Sequence, residues 1–474
     1  MSADTRASNG YPRMTITHTT DRIIDHYRSA FFARAPRLPG AEADWLRQRR
    51  RGAFDRFSKL GFPSPDREDW KYTPIDAITE HPYRFADDRP PDDSLPERHR
   101  NTIEALYLPD TDGYCLVFID GRHVPELSRA GIPAAGAVAG SLAENLAAPT
   151  GTPAARIPDR YLDRYPPAPV SGFAALNSAL FTDGALIYLP AGTRFPEPVQ
   201  LLFVSTHGEE PAISLPRILI VAEPGSAVDV VESFASLGDA ATGNAPHLTN
   251  AVTEIAVGAN ARVSHCKLQT EAEHTALHVA TVRVHQAEDS RFFSHSVSAG
   301  ARIARNDIEA VIDGEGGECT LDGLYLAGGR QHVDYHTRIE HAKPNGASQE
   351  LYKGILTGRA HGVFNGEVYV HPHAQHTDAK QRNENLLLSK NAQVDTKPQL
   401  DIFADDVQCA HGATVGQMDE NMLFYLRSRG IAADEAEKLL TYGFAGEIVH
   451  RAPVPGLETK LVQLRLSSDT TSDR

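Results

Sequence analysis

The stretch "DDVQCAHGATVG" at 405–416 places Cys409 two positions before His411. On a strand, residues i and i+2 share a face, so the thiol and the imidazole would present together. Both are good ligands for iron or zinc. Two ligands do not make a closed site, so any others must come from elsewhere in the chain or from a partner. The same pair could act as a nucleophile with its base. That chemistry also needs an oxyanion hole, and nothing nearby in the sequence supplies one. The third reading is two residues packed in a core.

Histidine is abundant, at 21 residues. If "RQHVDYHTRIEH" (330–341) is a strand, His332, Asp334 and His336 point to one face, with His341 at the end of the run. In "YVHPHAQH" (369–376), His371 and His373 share a face and His376 follows a turn. Either set carries metal-ligating chemistry. The preferred alternative is that strands and corners simply carry polar residues here. Other chemistries lose support. There is no G-x-x-x-x-G-K-[ST] loop, no H-E-x-x-H and no G-x-S-x-G, and "DGEGGEC" (313–319) fails the dinucleotide pattern at Cys319.

The elements that must position these residues change character along the chain. Residues 1–15 read as a disordered polar tail, with Met14 as an alternative start. Residues 16–170 form an N-terminal helical and mixed region. Thr20 is its first N-cap, followed by Ile23, Ile24, Tyr27 and Phe31 on one face. Trp45, Leu46, Ala53, Phe57 and Leu60 form a second stripe. "YCLVFIDGRHV" (114–124) is a β run with an Asp-Gly turn, and "GTPAARIPDRYLDRYPPAPVSG" (151–172) reads as a linker or extended loop. Residues 171–416 are a core of short β runs that no amphipathic helix interrupts from about 185 on, which excludes a helix-wound parallel sheet. Openings at Ala227, Ala261, Ser290, Glu318 and Ala347 are 34, 29, 28 and 29 residues apart, and His361 and Gln375 follow at steps of 14. Such a quasi-regular repeat points to a β-solenoid whose alternating inward residues fill a lumen. A sandwich or barrel is the competitor, and Asn365-Gly366 is a hairpin signal in its favour. Residues 417–474 read as a C-terminal helical domain. Asp419 caps a helical hairpin, Gly430 breaks it, and "KLVQLRL" (460–466) is a closing strand.

Composition narrows the function classes. The 474 residues are 41% hydrophobic and 23% charged, ordinary for a globular protein. A net charge of −15 opposes binding to nucleic acid or to an anionic membrane surface. The four dispersed cysteines, Cys115, Cys266, Cys319 and Cys409, are neither a disulfide framework nor a zinc-spaced set. No apolar run approaches bilayer length and no secretory leader is legible, so a cytoplasmic protein is expected.

The run "NENLLLSKNAQVDTKPQLDIFADDVQCAHGATVGQMDENMLFYLRSRGI" (383–431), continued by "AEKLLTYGFAGEIV" (436–449), closely resembles the C-terminal signature of the SufB/SufD family, on its SufD side. These proteins are scaffold subunits of the SUF iron–sulfur cluster assembly machinery. "HAKPNGASQELYKGIL" (341–356) resembles the family core, and "PDREDWKYTPI" (65–75) its N-terminal segment. The resemblance implies a mainly β protein, with a right-handed parallel β-helix flanked by N- and C-terminal helical regions. It implies a non-catalytic scaffold that pairs with SufB through the C-terminal end of the β-helix and binds the SufC ATPase through the C-terminal helices. Hydrolysis belongs to SufC, consistent with the missing phosphate loop. It implies a transient cluster at the SufB seam, with His411 as this chain's ligand and Cys409 secondary, and no cofactor held tightly by this chain alone; flavin is left open. Met422, Leu423, Phe424, Leu426, Leu439, Leu440 and Phe444 are the residues expected to meet SufC. A homodimer is a further expectation for the isolated chain. Two rivals are a β-helix enzyme acting on polysaccharide, which needs clustered carboxylates where only Asp405 and Asp406 are paired, and a self-sufficient Cys–His thiol enzyme.

Overall fold

The computed structural model describes residues 14–89, 95–109, 113–129, 131, 136–149, 152–164, 171–206, 208–238, 245–454 and 456–467. Residues 1–13 of the expected tail 1–15 and the proline-rich 165–170 lie outside them, while Met14 and Thr15 belong to the first helix.

From Ala227 onward the strands alternate between two sheets, and every pairing joins strands one coil apart in parallel. The first sheet stacks Ala227–Leu237, Arg262–Thr270, Arg291–Ser298, Glu318–Ala327, Ala347–Leu356, Asp378–Leu387 and Gln408–Gln417. The second stacks His247–Val257, Ala276–Gln286, Ile303–Ile312, His332–His341, His361–Val370 and Gln393–Ile402. This is the expected parallel β-solenoid. Strands of the first sheet open at Arg262, Arg291, Glu318, Ala347, Asp378 and Gln408, steps of 27 to 31 residues, so the repeat legible in the sequence is one coil. His361 opens a strand of the opposite sheet, which makes the step of 14 a half coil.

The sandwich is excluded by the parallel ladders. Asn365 and Gly366 sit mid-strand, in register with His336 and Thr337 below and Lys397 and Pro398 above. Gly366 meets a lumen constraint rather than a turn: a Cβ there would fall 2.3 Å from Gln381 Nε2. The solenoid also begins before residue 171, since Tyr114–Ile119 stacks in parallel under Val199–Thr206. The expected Asp-Gly turn joins Tyr114–Ile119 to Arg122–His123 as an antiparallel pair, with φ of 48° at Asp120 and 82° at Gly121.

Inward positions pack in columns. Tyr335, Tyr352 and Phe364 stack with centroids 5.0 and 5.2 Å apart, and glycines make room for them: a Cβ on Gly323 would lie 2.1 Å from the Tyr352 ring. The middle of the lumen is polar. His265 lies 2.9 Å from Glu232, His278 lies 2.7 Å from Glu271, and the Lys267 ammonium donates to Asn306. Burying polar groups costs least when they are partnered in this way.

The N-terminal helices cover the first coils. Ile23, Tyr27 and Phe31 of Met14–Arg34 are buried, as are Leu46, Ala53 and Phe57 of Asp44–Leu60, while Leu60 is exposed. The first helix is described over Met14–Arg34, so Thr20 lies inside it and is not its cap. The buried helix Gly172–Leu180 is pinned by Arg217, whose guanidinium lies 2.7 Å from both Asp163 and Glu254. Two elements differ from the sequence reading. Pro153–Tyr161 is a helix, with Pro153 at its first turn and Thr152 as N-cap, where a loop was expected. Leu457–Ser467 is a helix where a closing strand was expected, because Leu457 and Leu461, four apart, are both buried against the solenoid side. Among the described residues no helix is long and apolar enough to cross a membrane.

"PDREDWKYTPI" lies across the outer face of the second sheet. Trp70 stacks on Phe173 at 5.4 Å, and the Arg305 guanidinium sits over it at 4.4 Å. Arg305 donates to the Asp69 carbonyl at 2.8 Å and pairs with Asp334 at 2.5 Å, while the Thr73 hydroxyl donates to Asp334. His336 lies 3.2 Å from Asp334, and His332 is 3.3 Å from the Thr73 hydroxyl. The shared face of His332, Asp334 and His336 is thus a docking seam. Burial alone would raise the Asp334 carboxyl, but Arg305, with His336, holds it well below the usual carboxylate range. Stability from this pair is present above the unfolded-chain value near ~3.9 and is lost as pH falls through the depressed folded value. Asp334→Asn should therefore cost on the order of 3 kcal/mol at neutral pH, because it leaves Arg305 short of a partner. The gap to the parent in denaturant unfolding should narrow below about pH 4; a gap that widens on acidification would contradict the assignment.

Candidate functional site

Cys409 and His411 lie on Gln408–Gln417, the last strand of the first sheet. Among the described residues it pairs only with Asp378–Leu387, leaving its other edge open. Cys409 is in register with Ala379, Ser348 and Cys319, and His411 with Gln381, Glu350 and Leu321. Cys319 and Leu321 belong to the lumen core, so both site residues occupy inward positions. They remain accessible because no further coil stacks over them among the described residues. Cys409 is half-buried against Ala379, and His411 is exposed. Strand geometry thus presents them together, as i and i+2 require.

The chemistry of the pair is limited. Burial pushes the Cys409 thiol up, and Asp378 adds to this against a hydrogen bond from the Ala379 backbone. A thiol shifted upward is the opposite of an activated nucleophile. The other three cysteines are buried and unbridged; burial raises Cys115 to about 12 and drives Cys266 and Cys319 up as well. Among the described residues no three His, Cys, Asp or Glu side chains are placed to hold a metal ion. In the second histidine set His371 pairs with Glu340 at 2.7 Å and His376 with Asp406 at 3.0 Å, while His341 of the first set is buried, 2.9 Å from the Ser348 hydroxyl. Asp406 is therefore engaged with a histidine, and Asp405 is exposed beside it.

The open rung carries apolar surface that the sequence reading missed. Val415, another inward position, is 47% exposed, and Ile402 and Phe403 at the end of the neighbouring edge strand are also exposed. The available signal was the inward alternation itself, which runs on through Ala413 and Val415 where the repeat stops. An uncovered edge with unpaired backbone groups and apolar side chains is a pairing surface.

The hairpin beside it has two parts. Ala433–Val449 docks its C-terminal half on the outer face of the first sheet, where Ala445, Ile448 and Val449 pack with Leu324, Leu351 and Ile355. Lys353, nearly buried, reaches Glu447 at 2.6 Å and Glu384 at 3.0 Å, and Arg451 reaches Asp322 at 2.8 Å. The other part projects. Glu420–Ser428, capped by Asp419, has no buried residue. Of the seven residues singled out from the sequence, Met422, Phe424 and Leu439 are exposed, whereas Leu423, Leu426, Leu440 and Phe444 are partly buried. Tyr425 and Tyr442, not foreseen, are also exposed.

Two family models divide nearly all of the chain: the SufBD protein N-terminal region matches residues 22–201, and the SUF system FeS cluster assembly SufBD core domain matches residues 203–444. The chain belongs to the SufBD family. An iron–sulfur cluster assembly SufBD family protein of Synechocystis is 34% identical over 433 residues, covering 90% of this chain and 92% of its own. The iron–sulfur cluster assembly protein SufD of Escherichia coli is 33% identical over 407 residues, covering 85% and 88%. SufD of Bacillus subtilis is 30% identical over 292 residues, covering 61% and 65%. The core match ends at Phe444, so it takes in the open rung and the free part of the hairpin. The docked part then becomes testable alone. Ile448→Asp should release the hairpin from the sheet, and limited proteolysis should cut between 418 and 449 while the solenoid persists. Unchanged resistance to protease would show that the Lys353 and Arg451 contacts suffice without Ile448.

Proposed function

We propose that this SufBD family member is a non-catalytic scaffold for iron–sulfur cluster assembly, working in the cytoplasm and pairing with a SufB subunit through its open terminal rung. The observation that carries this reading is the position of Cys409 and His411. They are lumen residues by register, on a strand with one free edge that also leaves Val415 uncovered. A facing solenoid end would stack on that edge, bury Val415, Ile402 and Phe403, and bring its own ligands to His411. The cluster is cargo, built across the seam on a SufB thiolate and His411, with Cys409 secondary. In isolation the same edge accepts a second copy of this chain.

The free face of the hairpin, with Met422, Phe424 and Leu439, is the binding surface for a SufC ATPase. ATP-driven pairing of two SufC subunits pulls on the region around 419–446 and opens the seam, a rigid-body switch of the kind that interfaces support. Nucleotide hydrolysis lies with SufC.

His411→Ala should abolish cluster formation in the complex reconstituted with SufB and SufC without preventing its assembly; an unchanged cluster yield would sink the ligand role. Phe424→Asp should weaken SufC capture by tenfold or more, since exposed aromatic anchors dominate such interfaces at about 2 kcal/mol or more each. A folded variant that captures SufC at parental strength would remove the hairpin from the interface.

A further inference from the structure

Below His411 in its lumen column lie Gln381 and Glu350, both buried. Gln381 Nε2 donates to Glu350 Oε2 at 2.6 Å. The amide can take this position because Gly366, across the lumen, has no Cβ; one would stand 2.3 Å from Gln381 Nε2. With its NH2 committed downward, the amide leaves Oε1 as a buried acceptor without a partner. Such an acceptor costs about 1–3 kcal/mol unless something donates to it. On the open side the next rung places His411 in register with Gln381, on the same face and one strand spacing, about 4.8 Å, away. An imidazole N–H is a donor, and in the neutral ring only one nitrogen carries it.

We propose that Gln381 Oε1 accepts a hydrogen bond from one ring nitrogen of His411, and that Glu350 fixes the amide the right way round, so that the other ring nitrogen is held outward with its lone pair free. Gln381 and Glu350 are then positioning residues, not ligands. The inference rests on, and deepens, the reading of His411 as the group that meets the incoming cluster. Its logic is that of the groups behind metal-binding histidines, which fix the tautomer through the nitrogen the metal does not use. Glu350 suits this role when ionised, because a carboxylate only accepts; burial pushes it up to about 7, so it is ionised in moderately alkaline buffer.

The test uses the full chain with 15N-labelled histidine rings at about pH 8.5, where Glu350 is ionised. The His411 signals are identified by their loss in His411→Gln. The parent should show His411 as one tautomer, with one protonated and one bare nitrogen. Gln381→Met keeps the volume but removes the acceptor, and should give averaged nitrogen signals. Glu350→Gln should do the same through the loosened amide. The paired exchange Glu350→Gln with Gln381→Glu restores an acceptor under His411 above a donor, and should restore the single tautomer. In the reconstituted complex Gln381→Met should lower cluster yield by about 10-fold, the usual scale for such supporting groups. His411 nitrogen signals unchanged in both single variants would overturn the proposal. If those signals average as expected but His411→Ala leaves cluster yield intact, the hydrogen bond stands and the ligand reading falls.

Discussion

Each coil of a β-solenoid depends on the next to bury what it points inward. A lumen side chain is sealed above and below only by neighbouring rungs, and each backbone edge is satisfied only by the strand stacked on it. The chain meets this demand at its beginning with antiparallel strands and helices. Arg122–His123 pairs at one edge, Val138–Ser141 at the other, and the helix Gly172–Leu180 lies over the first coils behind the Arg217 pairs. At the other end nothing in the described residues performs this task. The strand Gln408–Gln417 continues the register of Asp378–Leu387 and then the solenoid stops. Exposed Val415 and accessible His411 are two aspects of that one omission.

The solenoid was legible because its repeat is a physical length. One coil spends two strands and two corners, close to 29 residues, and small or polar residues mark each opening. What the sequence concealed was where local signals yield to packing. Asn365-Gly366 reads as a hairpin turn, yet the glycine is there to leave room for the Gln381 amide across the lumen. "KLVQLRL" alternates like a strand, but Leu457 just ahead of it gives a helical spacing to Leu461. The pairing of Cys409 with His411 followed from strand period alone. The hydrogen-bonded column beneath them did not, since Gln381 and Glu350 lie 30 and 61 positions away and meet His411 only through two coils of stacking.

The same reasoning separates structural from functional polar groups. The outer face of the second sheet carries His332, Asp334 and His336, which look like ligands in the sequence but spend their bonding on Arg305 and Thr73. In the lumen His265 likewise lies against Glu232, and His278 against Glu271. His411 differs because it is exposed on a rung with a free edge, while the group below it offers an unused acceptor.

The difference between the two residues of the C-x-H pair follows from depth. Ligation by a thiol requires its proton to leave, and half-burial beside Asp378 opposes that at Cys409. His411 is instead exposed, on the strand with the free edge. A partner that stacks on this edge would exclude water from both residues at once and bring its own charges to the seam. The cost of placing Cys409 as thiolate would then depend on what the partner contributes. On the proposed reading, the rung that this chain leaves out is the one a second solenoid end would supply.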